Sequence, residues 1–133
     1  MRDGQTRRLE KQPEGGAEEF LASYRAALVI LSGAAAGSEY SLDESRVTIG
    51  RGPGVDLAFD DEGMSREHVA IEFFEAGYRL RDLGSTNGVR VNGSSVSVCE
   101  LKHGDRFDLG GHRFQYVVEE RERPLREYVL PGN

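Results

Sequence analysis

One cysteine (Cys99), no tryptophan and only 4 prolines occur among the 133 residues. A single thiol cannot close an internal disulfide, so the fold must rest on burial and hydrogen bonding, and a cytoplasmic location is expected. Long apolar runs are missing too. The longest, AALVIL at 26–31, stops at Ser32 and Gly33, far short of the roughly 20 residues that cross a bilayer. No N-terminal stretch combines a basic start, an apolar run and a small-residue cleavage site, so no leader and no membrane partner are expected. Excess positive charge is absent as well: the formal net charge is -6. Nucleic-acid binding draws most of its affinity from Lys and Arg neutralising phosphates, so that partner class is excluded.

Glycine is plentiful, at 17 residues, which together with scarce proline points to many tight turns. Between about residues 26 and 118 those turns punctuate short runs rich in Val, Ile, Phe, Tyr and Leu: AALVIL (26–31), RVTIG (46–50), DLAF (56–59), HVAIEFF (68–74), YRLRDL (78–83), VRV (89–91), RFDL (106–109) and RFQYVV (113–118). Several alternate with period two, as half-buried strands do. The expected fold is all-β, a two-sheet antiparallel sandwich with turns such as Asn87–Gly88, Asn92–Gly93 and Gly110–Gly111. Residues 1–25 and 119–133 read as flexible arms flanking one domain at 26–118. Within the first arm, AEEFLASYR (17–25) has room for two helical turns with Phe20, Leu21 and Tyr24 on one face, but so short a helix needs something to dock against.

Residues 26–118 carry 9 basic and 14 acidic side chains, so an anion site there must be a local constellation working against the overall field. Three loop-borne clusters stand out: Gly50-Arg51, Ser65-Arg66-Glu67-His68, and Asp82-Leu83-Gly84-Ser85-Thr86-Asn87-Gly88, with Asn92-Gly93 close behind. Their order, and the later FDLG at 107–110, resembles the forkhead-associated (FHA) family, whose signature is GR, then SxxH, then a GSTNG-like loop and an NG turn. The resemblance implies a phosphothreonine-binding β-sandwich over roughly residues 26–118. It implies that Gly50 and His68 shape loops rather than touch ligand, that loop Asn residues hold the peptide, and that the loop ending in Gly63 and Met64 helps select the third residue after the phosphothreonine.

The chemistry of the residues runs parallel to this. A phosphothreonine carries about -1.5 to -2 charges and three strong acceptor oxygens, so its receptor needs a forked cation and neutral donors that dehydrate cheaply. Arg51 offers the fork, the Ser65 and Thr86 hydroxyls the donors, and Arg66 a nearby backbone N–H. Asn87 and Asn92 can each donate to a peptide carbonyl and accept from a peptide N–H. Gly84 and Gly88 suit unusual backbone angles around Ser85, Asp82 can accept from loop amides, and Gly93 completes a hairpin turn.

Each residue alone has a blander reading: Arg51 as a surface charge, Ser65 as a turn former, His68 as a structural hydrogen-bonder, and Asp60-Asp61-Glu62 as a solvated loop without the spacing of a calcium site. Co-occurrence decides for the first two. GRGPG at 50–54 lacks the Lys-Ser/Thr ending of a P-loop, and His68, His103, His112 and Cys99 lack metal-ligand spacing, so neither catalysis nor a metal or cofactor is expected. The expected function is phosphothreonine-dependent protein binding to a kinase or kinase substrate. The alternative is a phosphate-independent scaffold using the tail group Tyr128, Val129 and Leu130. Of three threonines, Thr6, Thr48 and Thr86, only Thr6 lies in an arm, which makes it a candidate regulatory phosphosite.

Overall fold

The computed structural model describes residues 8–122, and for residues 8–15 only the backbone. Thr6 and the Tyr128–Leu130 group fall outside the described residues. A single helix, α1 (Arg8–Ser23), precedes eleven strands: β1 (Tyr24–Ile30), β2 (Glu39–Ser41), β3 (Arg46–Gly50), β4 (Leu57–Ala58), β5 (Val69–Phe74), β6 (Gly77–Asp82), β7 (Val89–Val91), β8 (Ser94–Val96), β9 (Val98–Glu100), β10 (Arg106–Leu109) and β11 (His112–Glu120).

The strands form two sheets, ordered β2-β1-β11-β10-β7-β8 and β4-β3-β5-β6-β9, stacked as the sandwich that the alternation predicts. On β6, Tyr78 and Leu80 are buried while Arg79 and Arg81 point outward. From the opposite sheet come Leu28, Phe107, Phe114 and Tyr116, all nearly inaccessible, and each side chain of this size stabilises the fold by about 1.5–3 kcal/mol. Phe107 and Phe114 face each other across β10 and β11 with stacked rings 5.0 Å apart. The Tyr78 hydroxyl donates to the Glu44 carbonyl at 2.7 Å, so its burial strands no polar group.

Four details depart from the sequence reading. β2, β8 and β9 were not legible as strands, because three half-exposed residues at a sheet edge show no period. β4 runs parallel to β3, so the sandwich is not wholly antiparallel. The larger sheet continues past residue 118, since Tyr24 pairs with Glu120. And the segment read as an N-terminal arm holds the sixteen-residue α1, which ends at Ser23, so that Tyr24 already belongs to β1.

Helix α1 persists because it has a dock. Ala17 and Ala22 are buried, and the Phe20 ring lies 5.4 Å from Phe73 and 6.0 Å from Tyr78. Arg121 ties down the last turn, donating from its backbone N–H to the Ser23 carbonyl (2.8 Å) and from Nε to the Leu21 carbonyl (3.0 Å). Those carbonyls would otherwise lack partners at the helix end. Phe73 lies near the end of β5 and residues 65–68 precede its start, so α1 closes the end of the sandwich opposite the motif loops.

Candidate functional site

At the motif end, the chain leaving β3 lies against the chain entering β5. The Arg51 N–H donates to the Ser65 carbonyl (2.9 Å) and the Gly52 N–H to the Arg66 carbonyl (3.1 Å). Gly50 is buried beneath this contact. A Cβ there would collide with the Arg66 carbonyl and come within 2.9 Å of the Ser65 carbonyl oxygen, so only glycine lets the two backbones approach.

His68 is completely buried and joins two loops. Its Nδ1 accepts the Ser65 N–H at 3.0 Å, which leaves Nε2 as the protonated nitrogen, donating to the Gly88 carbonyl at 2.8 Å. Around Gly88 the 84–88 loop is held from within. Asp82 Oδ1 accepts the Ser85 N–H (3.0 Å), and Ser85 Oγ accepts the Gly88 N–H (2.9 Å). Gly84 and Gly88 both sit at φ of 78°, where a side chain would be strained.

These ties bring Arg51, Ser65, Arg66, Thr86, Pro53, Glu67 and Gly84 around one open cleft of about 530 Å³. Ser65 Oγ accepts the backbone N–H of Thr86 at 3.0 Å, which fixes the two hydroxyl-bearing residues side by side and leaves the Ser65 O–H to donate elsewhere. Arg51 spends Nε on the Met64 carbonyl (3.0 Å). Its two terminal nitrogens have no partner among the described residues, so the anchored guanidinium presents a free pair of donors. With Arg66 exposed on the same rim and Glu67 the one carboxylate, the cleft carries a net charge of +1 in a chain whose net charge is -6.

Asn87 stands beside the cleft, its Nδ2 donating to the Gly63 carbonyl at 2.9 Å. One N–H and Oδ1 remain available. Asn92 is elsewhere. It sits past the far end of β7 at φ of 50°, its Nδ2 donates to Asp105 Oδ1 and its Oδ1 accepts the Arg106 N–H, both at 3.0 Å. That departs from the expected peptide contact: the amide is engaged through both its nitrogen and its oxygen in the Asn92–Gly93 turn, and Asn92 does not line the cleft. Met64 is corrected too, because at 1% exposure it belongs to the core and cannot read a ligand side chain.

Asp61, read from the sequence as part of a solvated loop, and His112, noted there only as lacking metal-ligand spacing, brace the loop that supplies the Gly63 and Met64 carbonyls. His112 Nε2 lies 2.8 Å from Asp61 Oδ2, and Asp61 Oδ1 accepts the Gly63 N–H at 2.8 Å. Fifty-one positions separate the pair, and no local spacing announces it.

With this geometry in place, comparison with known proteins is decisive. The family model for the cytoplasmic domain of the inner-membrane component of type III secretion systems, a domain of FHA fold, matches residues 29–120. The chain belongs to the forkhead-associated family. An oxoglutarate dehydrogenase inhibitor of Corynebacterium glutamicum is 31% identical over 80% of the chain and 74% of its own length. The glycogen accumulation regulator GarA of Mycolicibacterium smegmatis is 34% identical over 75% of the chain, which spans 63% of that protein. A solved FHA domain from a study of phosphothreonine-dependent FHA interactions is 33% identical, with a TM-score of 0.64, over 70% of this chain and 95% of that one. The FHA sandwich thus accounts for residues 29–120, and the three clusters occupy its loops at one end. Among the described residues no helix is long and apolar enough to cross a membrane.

Proposed function

We propose that this FHA protein is a cytoplasmic adaptor that binds a phosphothreonine segment of a partner, a kinase or a kinase substrate, and that binding rather than catalysis is its activity. The observation that carries this is the single cleft on which the free end of Arg51 and the Ser65 and Thr86 side chains open. Arg51 pairs two phosphate oxygens through its terminal nitrogens, and the Ser65 and Thr86 hydroxyls and the Arg66 N–H donate to the rest. Asn87 holds the peptide backbone beside the modified residue. A phosphate-independent scaffold has no use for a guanidinium pre-aimed by the Met64 carbonyl. The regulatory proteins to which the chain is similar support the same reading, with an enzyme or its kinase as the class of partner.

The test is titration of wild type and Arg51→Ala with matched phosphorylated and unphosphorylated peptides from a degenerate library. Losing a charge-assisted bond of about 1.5–3 kcal/mol weakens phosphopeptide binding roughly tenfold to hundredfold. Equal binding of the phosphorylated and unphosphorylated forms by wild type overturns the proposal.

A further inference from the structure

The phosphate cleft is not the only concavity at this end. Asn87, next in sequence to Thr86, lines a second cleft of about 360 Å³, which shares Arg90, Asp108 and Gly111 with a third of about 440 Å³ that continues to Arg113 and Ser32. Phosphate cleft, Asn87 and these two recesses therefore lie in sequence across the surface. A segment anchored by its phosphate and passing Asn87 is led over the outer face of the larger sheet.

The charges on that face are unequally satisfied. Arg90, Asp108 and Arg113 form one cross-strand row, Arg90 opposite Asp108 and Asp108 opposite Arg113. Asp108 is taken up by Arg113, through Nε at 2.8 Å and Nη2 at 3.5 Å. The nearby carboxylate of Asp61 is taken up by His112. Arg90 is exposed and has no ion-pair partner among the described residues. The guanidinium left over in both recesses is thus the one on β7. Met64, in the loop before the motif serine, is buried and unavailable.

We propose that Arg90 is a specificity-determining residue: it reads an acidic side chain of the phosphopeptide, which makes the preferred ligand a phosphothreonine segment with Asp or Glu at one fixed flanking position. This rests on the phosphothreonine reading above. Arg90 follows Thr86 of the cleft by only four residues, and an extended peptide advances about 3.3 Å per residue, so the position lies within about four residues of the phosphothreonine. The pair is formed at an exposed surface, and its contribution is correspondingly modest, roughly two- to fivefold in affinity.

The experiment uses a phosphothreonine peptide with alanine flanks, substituted in turn by Asp and by Lys at each of four positions on either side. It is titrated against wild type, Arg90→Ala and Arg90→Glu, with the fold of each variant checked by thermal melting. One position is expected to favour Asp over Lys with wild type, to lose the preference with Arg90→Ala and to favour Lys with Arg90→Glu. If no position shows a preference, if the preference survives Arg90→Glu, or if that variant weakens every peptide equally, Arg90 is not the reader. The parent peptide without phosphate separates the two levels. Phosphate-dependent binding with an unchanged flank preference sinks only the Arg90 proposal, whereas phosphate-independent binding sinks both.

Discussion

His68 Nε2 and the Gly88 carbonyl oxygen lie 2.8 Å apart, and through that bond a side chain with no solvent exposure couples the loop bearing Ser65 to the loop bearing Thr86. The ring has no spare nitrogen, since Nδ1 holds the Ser65 N–H. His68→Ala therefore leaves a part-buried donor and a part-buried acceptor without their partner and opens a cavity where the buried ring was. A loss of about 2–4 kcal/mol is expected in chemical denaturation, together with weaker phosphopeptide binding. Unchanged stability would mean that the two loops hold their places without the imidazole.

Gly50→Ala tests the close approach of β3 to the residue 65–66 backbone. Its φ is not positive, so a methyl costs nothing in backbone conformation, and the effect comes from collision with the Arg66 carbonyl. Backbone cannot yield as a side chain can. Gly52 provides the control, because a Cβ there meets the Arg66 Cβ at 3.0 Å and Cγ at 3.1 Å, a tight contact that a shift of a few tenths of an ångström relieves. Gly50→Ala is expected to cost about 1–3 kcal/mol and to move the Ser65 carbonyl off the Arg51 N–H. Gly52→Ala should cost clearly less, as read from paired melting curves and phosphopeptide titrations.

Most of this architecture is legible in the residues, and the parts that are not have physical reasons. YRLRDL and RFDL announce themselves by alternation because one face of each is buried. EYS, SSV and VCE are too short to show a period. Helix α1 is legible only in its last turns, since its stability comes from Phe73, Tyr78 and Arg121, which are distant in sequence. At the site, GR, SxxH and GSTNG identify which side chains converge on the cleft. They do not distinguish Asn87, which stands beside the cleft with its oxygen free, from Asn92, whose identical Asn-Gly context conceals an amide engaged by Asp105 and Arg106 away from the cleft lining. Nor does Met64 reveal its burial, which depends on the sandwich it plugs.

The two asparagines should consequently separate by assay. Asn92→Ala removes a bond to Asp105 and one to the Arg106 N–H, and replaces a residue that tolerates positive φ with one that does not. Stability is expected to fall by about 1–2 kcal/mol with phosphopeptide affinity retained below the melting transition. Asn87→Ala, on the exposed side of the cleft, should do the reverse, costing little stability and about tenfold in affinity. A large affinity loss in Asn92→Ala without loss of fold would restore it as a ligand contact.

On the outer face of the smaller sheet, Glu72 accepts from Arg81 Nε at 2.9 Å and Arg79 Nε at 3.1 Å. The Arg81 hydrogen bond is the main cause that holds its carboxyl below the usual range, with Arg79 adding to it and burial opposing. A lowered folded-state value means that the stabilisation is complete above the ordinary Glu range and is lost as pH falls through the lowered value. Glu72→Gln should then be less stable than wild type by about 0.5–1 kcal/mol at pH 7, with the gap closing in acid. Phosphopeptide binding should be untouched, because none of these three side chains lines the cleft. A gap that is constant with pH would trace the loss to packing instead of charge.

The ligand supplies its own pH signature. The second ionisation of a phosphothreonine lies near pH 6, and Arg51 gains most from the dianion, whose doubled charge its free nitrogens face. Affinity should be flat from pH 8 to about pH 6.5 and fall below about pH 6, with the Arg51 contribution shrinking in parallel. A peptide carrying a fluorinated phosphonate, whose second ionisation is lower, separates ligand from protein: its affinity should hold to lower pH under the same conditions. If both peptides weaken at the same pH, the titrating group belongs to the protein, and the dianion is not what the cleft selects.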